Sequence, residues 1–219
     1  LGQVTVTARE NRGITTSSRI DRSAMEHLQP TSFTDILELL PGGISKNPDM
    51  GSVNTITLRE TGAVSATGER SSLSSQYATT SMGTAFVVDG APINTDANIQ
   101  GIPASTTSDP ESRRDITNRG VDMRTISTDN IESVEIVRGI PSAEYGNLTS
   151  GVVNIKRIAR ATPFTARLKV DEYSKLFSFG KGLALGKHVL NIDAGWLDSK
   201  TDPRDNLENY KRANASLRS

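Results

Sequence analysis

The chain has 219 residues, sets 25 Lys and Arg against 25 Asp and Glu, and is 35% apolar and 5% aromatic. That neutral balance argues against a nucleic-acid binder, which needs a basic excess or a basic face, and against an acidic disordered tail. There is no cysteine, so disulfides, zinc knuckles and thiol nucleophiles are excluded, and no window approaches the roughly 18 consecutive apolar residues of a membrane-crossing helix.

Leu1 to Val4 show neither a basic nor an apolar signal region, so a chain that is not exported, or whose signal has been removed, is expected. Val4-Thr-Val-Thr-Ala8 alternates β-forming residues and predicts a strand. Arg9 to Ser18 is polar and reads as a flexible leash. Ser23 lies three residues before Glu26, a capping-box spacing, and predicts one helical turn over 24–28 before Pro30 interrupts. Ser32 and Asp35 open a second helix of about two turns, whose Ile36, Leu37, Leu39 and Leu40 should dock on a sheet. Pro41-Gly42-Gly43 stops it.

A strand is expected at 55–58, a long Ser/Thr/Gly loop at 61–83, and an apolar strand at 85–88 running into the turn Asp89-Gly90-Ala91-Pro92. Residues 94–124 read as a second long polar loop. Two such loops in a compact domain require a function. Val134 to Val137 and Val152 to Ile155 read as strands flanking a loop with Gly139, Gly146 and Gly151.

Beyond Pro163 the pattern changes. Phe164, Ala166, Leu168 and Val170 alternate with polar residues, as do Leu190, Ile192, Ala194 and Trp196. Between them, Phe177, Phe179, Leu183 and Leu185 share one parity. Period two over segments of about ten residues is the signature of a membrane β-barrel wall. Gly186-Lys187 makes a tight turn, and 198–209 a long polar connection. An eight-stranded barrel takes about 80 residues in strands alone. Only 56 residues follow Pro163, so the chain is expected to be a fragment with three wall strands and the start of a fourth.

The run Ile131 to Ile155, with Arg138-Gly-Ile-Pro-Ser-Ala-Glu-Tyr-Gly146 at its centre and Gly151-Val-Val-Asn-Ile155 at its end, resembles the plug signature of TonB-dependent outer-membrane transporters. The inserted Ile140 resembles Bacteroidetes-type members. Val4 to Ala8, Asp35-Ile-Leu-Glu-Leu-Leu-Pro-Gly42, Ile56-Thr-Leu-Arg59 (with Glu60 where the family has glycine) and Phe86-Val-Val-Asp-Gly-Ala-Pro92 resemble further family elements in the same order. The resemblance implies an α+β plug, a small mixed sheet with short helices, followed by the first antiparallel strands of a large transmembrane barrel. It places a TonB box and linker at 1–15, the plug at 16–160 and wall strands at 161–219. It also implies a bacterial outer-membrane location, with the plug inside the barrel and the N-terminus in the periplasm.

On this resemblance Val4, Thr5, Val6, Thr7 and Ala8 would pair with periplasmic TonB by β-strand addition; the plain alternative is an ordinary first strand. Arg138, with Arg59 as companion, would set plug registry against barrel glutamates, and Gly139, Tyr145, Gly146 and Gly151 belong to the same signature; a solvated strand-end arginine is the alternative. Ligand contacts would come from Arg70 and Tyr77 in the first long loop and from Asn98, Gln100, Arg113 and Arg114 in the second, unless these are simply solvated. The implied partners are TonB, outer-membrane lipid, a small-molecule ligand and, as an open question, a surface lipoprotein.

Siderophore, haem or cobalamin import ranks above glycan or peptide import on the form of the signature loop, and a non-transporting β-rich surface binding module is the other class. No enzyme is expected. There is no nucleophile elbow, and Gly180 to Lys187 fits neither phosphate-binding glycine spacing. His27 and His188 lack metal-ligand spacing. No catalytic residue, metal or cofactor is expected.

Overall fold

The computed structural model describes residues 7–10, 16–40, 50, 56, 84–93, 121–138, 145, 151–200 and 209–219. Six strands form a first sheet: β1 (Thr7–Glu10), β2 (Thr16–Asp21), β3 (Thr84–Val88), β4 (Ala91–Pro92), β5 (Ile131–Arg138) and β6 (Gly151–Arg157). Their spatial order is β1-β2-β5-β6-β3-β4. β3 runs parallel to β6, and the other neighbours are antiparallel. The sheet is therefore mixed, as expected.

β2 lies where a leash was expected. Its local apolar signal is Ile20 alone, and it becomes a strand by pairing with the distant β5, with Ile20 opposite Val134. The tight turn after β3 is as expected: Asp89 and Gly90 both take positive φ, 51° and 86°, the backbone that a two-residue hairpin demands.

Two helices cover one face of this sheet. α1 (Arg22–Leu28) begins two residues before the expected turn, and Ser23 does not cap it; Asp21 takes the cap position without a side-chain bond. Arg22 fixes the entry instead. Its Nε pairs with Glu26 at 3.0 Å, and its Nη1 donates to the carbonyls of Asp129 and Ile131 at 2.8 and 3.2 Å. The two carbonyl contacts are made at long sequence range, invisible to a local capping rule.

α2 (Phe33–Ile36) continues into a 3-10 turn over Leu37–Leu39. Its expected capping box is present. Thr34 N donates to Ser32 Oγ at 3.3 Å, while Thr31 N and Ser32 N donate to Asp35 Oδ2 at 2.7 and 3.1 Å. Burial pushes the Asp35 carboxyl up, against the pull of those two amides. Ser32→Ala should lower stability by about 1 kcal/mol, read as a fall in the thermal unfolding midpoint.

The core joins Ile20, Met25, Phe33, Ile36, Phe86, Val134, Ile136, Val153 and Ile155, with Leu37, Leu39 and Leu40 packed against it. Phe33 and Phe86 meet edge to face at 5.8 Å. Ile56, the described residue of the strand expected at 55–58, is buried in this core and belongs to no strand. The loop expected over 94–124 ends early. Val121 and Met123 are core residues, and Met123–Thr125 is a 3-10 turn. The rest of that loop, and 61–83, lie outside the described residues.

The second sheet is an antiparallel meander of β7 (Thr162–Val170), β8 (Ser174–Leu185), β9 (His188–Lys200) and β10 (Asn209–Arg218), in the order β10-β9-β8-β7. The third strand runs on through Asp198 to Lys200 rather than ending in a loop there, and the fourth is a full strand. Both extensions have the same cause: the register from Asn209↔Lys200 to Arg218↔Asn191 gives every polar residue there a backbone partner. Gly186, at φ +65°, makes the expected tight turn between β8 and β9. A Cβ on Gly182 would sit 2.5 Å from the carbonyl oxygen of Arg160. Only glycine lets the segment entering β7 cross β8 so closely.

This sheet is inverted relative to a water-soluble one. Phe164, Leu168, Val170, Phe177, Phe179, Ile192, Trp196 and Leu217 are exposed on one face, Leu168 at 75% and Leu217 at 71%. The opposite face carries Arg167, Ser178, Asn191, Asp193, Arg212, Ser216 and Arg218, and it is the less exposed face. Apolar outside and polar inside is the arrangement of a membrane barrel wall.

Candidate functional site

The polar face of the second sheet lies against the first sheet and its helices. Three wall arginines and a lysine make most of the contacts. Arg167 Nη1 pairs with Asp129 Oδ1 at 2.8 Å, and its Nη2 donates to the carbonyls of Gln29 and Pro30 at 2.7 and 2.9 Å. Lys169 Nζ reaches the Gln29 carbonyl at 3.1 Å. Gln29 is the left-handed C-cap of α1, where carbonyls lack helical partners and cations are favoured.

Arg212 donates through Nη1 to the carbonyls of Arg124 and Ile126 at 2.8 and 3.1 Å. Arg218 donates to the Arg157 carbonyl at 3.0 Å and lies 3.3 Å from Asp89. Asp193 accepts from Asn130 Nδ2 at 3.3 Å and from the Ser216 hydroxyl.

From the 3-10 turn beside the first sheet, Arg124 is the counterpart. Its guanidinium forks onto buried Asp122 at 2.9–3.1 Å, and Nη1 donates to the Met50 carbonyl at 3.0 Å. The plane lies 4.6 Å from the Tyr210 ring centroid on β10. Tyr210 borders a small apolar cluster of Met50, Leu176 and Leu197. Elsewhere the seam mixes polar and apolar side chains, and it holds a cavity of about 320 Å³ among Arg22, Asp129, Arg160, Thr165, Ile192 and Asp193. Each of the hydrogen bonds across the seam has a charged donor or acceptor and contributes about 1.5–3 kcal/mol net, and water can take its place when the two faces part.

The profile of the TonB-dependent receptor plug domain matches residues 9–153. The chain belongs to that family. Among solved structures it is similar to the siderophore receptor PirA from Acinetobacter baumannii, with TM-score 0.50 and 21% identity. It is also similar to the ferric enterobactin receptor PfeA, with TM-score 0.50 and 19% identity. Each match covers 85% of this chain and 25% of the receptor, so the chain spans a quarter of their length. These likenesses show the fold. No curated protein matches. The first sheet with its helices is thus a TonB-dependent receptor plug, and β7–β10 are antiparallel wall strands beside it.

Within this plug, the sequence-derived site residues are placed as follows. Thr7 and Ala8 lie in β1, paired with Arg19 and Ser18 of β2, at the edge of the sheet; Val4, Thr5 and Val6 lie outside the described residues. Arg138 ends β5 opposite Gly151, the first residue of β6. Its Nη2 donates to Ser18 Oγ at 3.3 Å, and its buried Nε has no partner among the described residues. β7–β10 contain no glutamate. Tyr145 is partly exposed. Arg59, Gly139, Gly146, Arg70, Tyr77, Asn98, Gln100, Arg113 and Arg114 lie outside the described residues.

Sequence reasoning missed the residues that join plug to wall. Arg167, Arg212 and Arg218 sit at the polar parity of barrel strands, a signal the alternation already contained. Arg124 and Asp122 lay in a stretch read as loop, and their signal is only the flanking apolar pair Val121 and Met123.

Asp89 supplies a pH handle on the seam. Burial opposes its ionisation. The Arg157 amide and guanidinium, with Arg218 nearby, outweigh burial and hold the carboxyl below its ordinary range. A depressed folded value stabilises above the unfolded carboxylate's range, about pH 4, and that stabilisation is lost as pH falls through the folded value. Asp89→Asn should flatten this part of the pH dependence of unfolding while leaving the neutral-pH fold intact, as acid titrations of the two proteins would show.

Proposed function

We propose that this chain is the plug and first wall strands of an outer-membrane transporter that imports a scarce small molecule with energy delivered through TonB. The observation that carries the reading is a sheet apolar on its outer face and polar on its inner one, with a family plug seated on the polar side by exchangeable hydrogen bonds. A plug that must shift to open a path is best held by contacts that water can replace. No bond in the ligand is made or broken.

The assignment of 1–15 to TonB box and linker, 16–160 to plug and 161–219 to wall belongs to this reading. So does an outer-membrane location with the N-terminus in the periplasm. Val4 to Ala8 offer the TonB-binding strand. In the plug, Arg59 and Arg138 set registry beside Gly139, Tyr145, Gly146 and Gly151. Arg70, Tyr77, Asn98, Gln100, Arg113 and Arg114 are the candidate ligand contacts. The ligand class is an iron chelate, haem or cobalamin, in keeping with the siderophore and ferric enterobactin receptors of similar fold and with a Bacteroidetes-type signature loop.

The test is uptake of labelled ferric siderophore, haem, cobalamin and oligosaccharide by cells carrying the full receptor, with and without TonB. Accumulation of one of the first three that disappears without TonB is expected. Accumulation of oligosaccharide alone would overturn the ligand class, and uptake indifferent to TonB would overturn the mechanism.

A further inference from the structure

We propose that Met50 is a positioning residue for ligand capture: seated in a socket on the wall and bonded to Arg124, it fixes the stems of both long loops to one point of the barrel. The inference rests on the function proposed above, in which those loops carry the ligand contacts. Two buried apolar clusters are present among the described residues. The larger lies wholly within the plug. The smaller is shared: Met50 comes from the plug, Leu176 and Leu197 come from β8 and β9, and Tyr210 of β10 borders it. The strand register sets Leu176 directly beside Leu197. Both point inward, on a face whose other residues include Ser174, Ser178, Asn191, Asp193 and Ser199. An apolar pair on a wetted inner face is unfavourable unless something dry covers it. Met50 is that cover, and all three side chains are 2% exposed or less.

The main chain at Met50 is held as well. Its carbonyl accepts from Arg124 Nη1 at 3.0 Å. The Arg124 carbonyl accepts in turn from Arg212 Nη1 at 2.8 Å, and Arg212 lies beside Leu197 in the same inner row. Chain order gives this node its meaning. Met50 and Ile56 precede the first long loop, and Val121 to Arg124 follow the second. Ile56, Val121 and Met123 are anchored in the plug core, whereas Met50 and Arg124 meet at the wall. Each stem therefore has one anchor in the core and one on the barrel, and the two barrel anchors are bonded to each other. The node also lies at the end from which a ligand arrives. Leu176 is near the start of β8, and Leu197 and Tyr210 flank the connection 201–208, remote from the two-residue Gly186-Lys187 turn. Longer connections mark the outer side of such barrels and short turns the periplasmic one. Loops whose stems are fixed beforehand lose less freedom when a ligand binds them.

Cells carrying the full receptor are offered labelled ferric enterobactin, haem, cobalamin or an oligosaccharide, and the purified receptor is titrated with whichever of the four they accumulate. Met50→Ala should weaken that binding about tenfold, as expected when loops reach the competent arrangement roughly a tenth of the time. The half-saturating concentration for uptake should rise by the same factor, while the maximal TonB-dependent rate stays at the wild-type level. A general loss of fold or of plug movement would lower that maximal rate instead. Met50→Leu conserves volume and apolarity and should restore wild-type binding. If Met50→Ala fails to fold, Leu197→Ser reaches the same contact from the wall, where serine already occupies neighbouring inner positions, and should show the same tenfold loss. The double variant should lose no more than either single one, because both remove one contact. Unchanged binding in M50A and L197S, or a fallen maximal rate with unchanged binding, would overturn the proposal. Uptake of none of the four compounds by wild type removes the function reading and this inference with it. Normal wild-type uptake, with variants that bind as tightly, removes this inference alone.

Discussion

Ala194→Arg should cost the lipid-embedded receptor about 2–4 kcal/mol of folding stability, whereas Val170→Arg should cost about 0–1. Ala194 faces outward on β9, between Phe179 of β8 and Ala215 of β10. It lies four residues below Asp198, about 10 Å deeper along the membrane normal at the strand rise and tilt of such barrels. Val170 ends β7 paired with Lys175, and on the proposed outer-membrane reading it lies at the interface, where an arginine finds water and phosphate. Equilibrium unfolding in lipid vesicles would measure both. The contrast decides between the transporter and a water-soluble surface module, because on a hydrated surface both substitutions fall within about 0.5 kcal/mol of neutral. A flat response across depth would remove the membrane from the account of this sheet.

What could be read beforehand follows from where each element gets its stability. β8 and β9 carry most of their apolar residues on one face, because lipid selects that face along the strand, so the wall was legible from Phe177, Phe179, Ile192 and Trp196 despite the inward Leu176 and Leu197. α2 was legible because its capping box is closed within five residues, Thr31 to Asp35. β2 was not. Thr16 to Asp21 holds one large apolar residue, and its place is fixed by Ser18 and Ile20 pairing with a strand more than a hundred residues away. Val121 to Arg124 was likewise masked by the polar sequence before it. The seam was legible only in part: alternation placed Arg167 at the polar parity of β7, whereas Arg212 and Arg218 lay in a strand expected only to begin, and their partners are mostly backbone carbonyls of turns and helix ends, which leave no trace in a sequence. The reading of Arg138 as the registry arginine rests on the family signature, whereas the described contacts between plug and wall run through other arginines.

Arg124→Ala should destabilise the plug by about 3–5 kcal/mol, the usual result of removing one partner from a buried ion pair. Asp122 and Arg124 are 3% and 9% exposed. The lost guanidinium also held the Met50 carbonyl and stacked over Tyr210, a contact worth roughly 0.5–2 kcal/mol by itself. Arg124→Lys should fall between, since an ammonium keeps the charge but not the planar fork that meets Asp122 twice. Calorimetry of the detergent-solubilised receptor would read the plug transition, and heat-modified gel mobility would show whether the wall stays folded. The cellular consequence follows from the same geometry. Arg124 is the plug residue whose side chain touches β10 beside the seam's apolar cluster, so a plug without it should sit looser in the wall. Cells carrying the variant should then become more sensitive to antibiotics too large for ordinary pores. Unchanged plug stability would mean that the polar contacts around Arg167 and Arg218 hold the plug without it. A seam built that way would be held by charge-assisted bonds, each worth about 1.5–3 kcal/mol net, rather than by the cation–π contact at Tyr210.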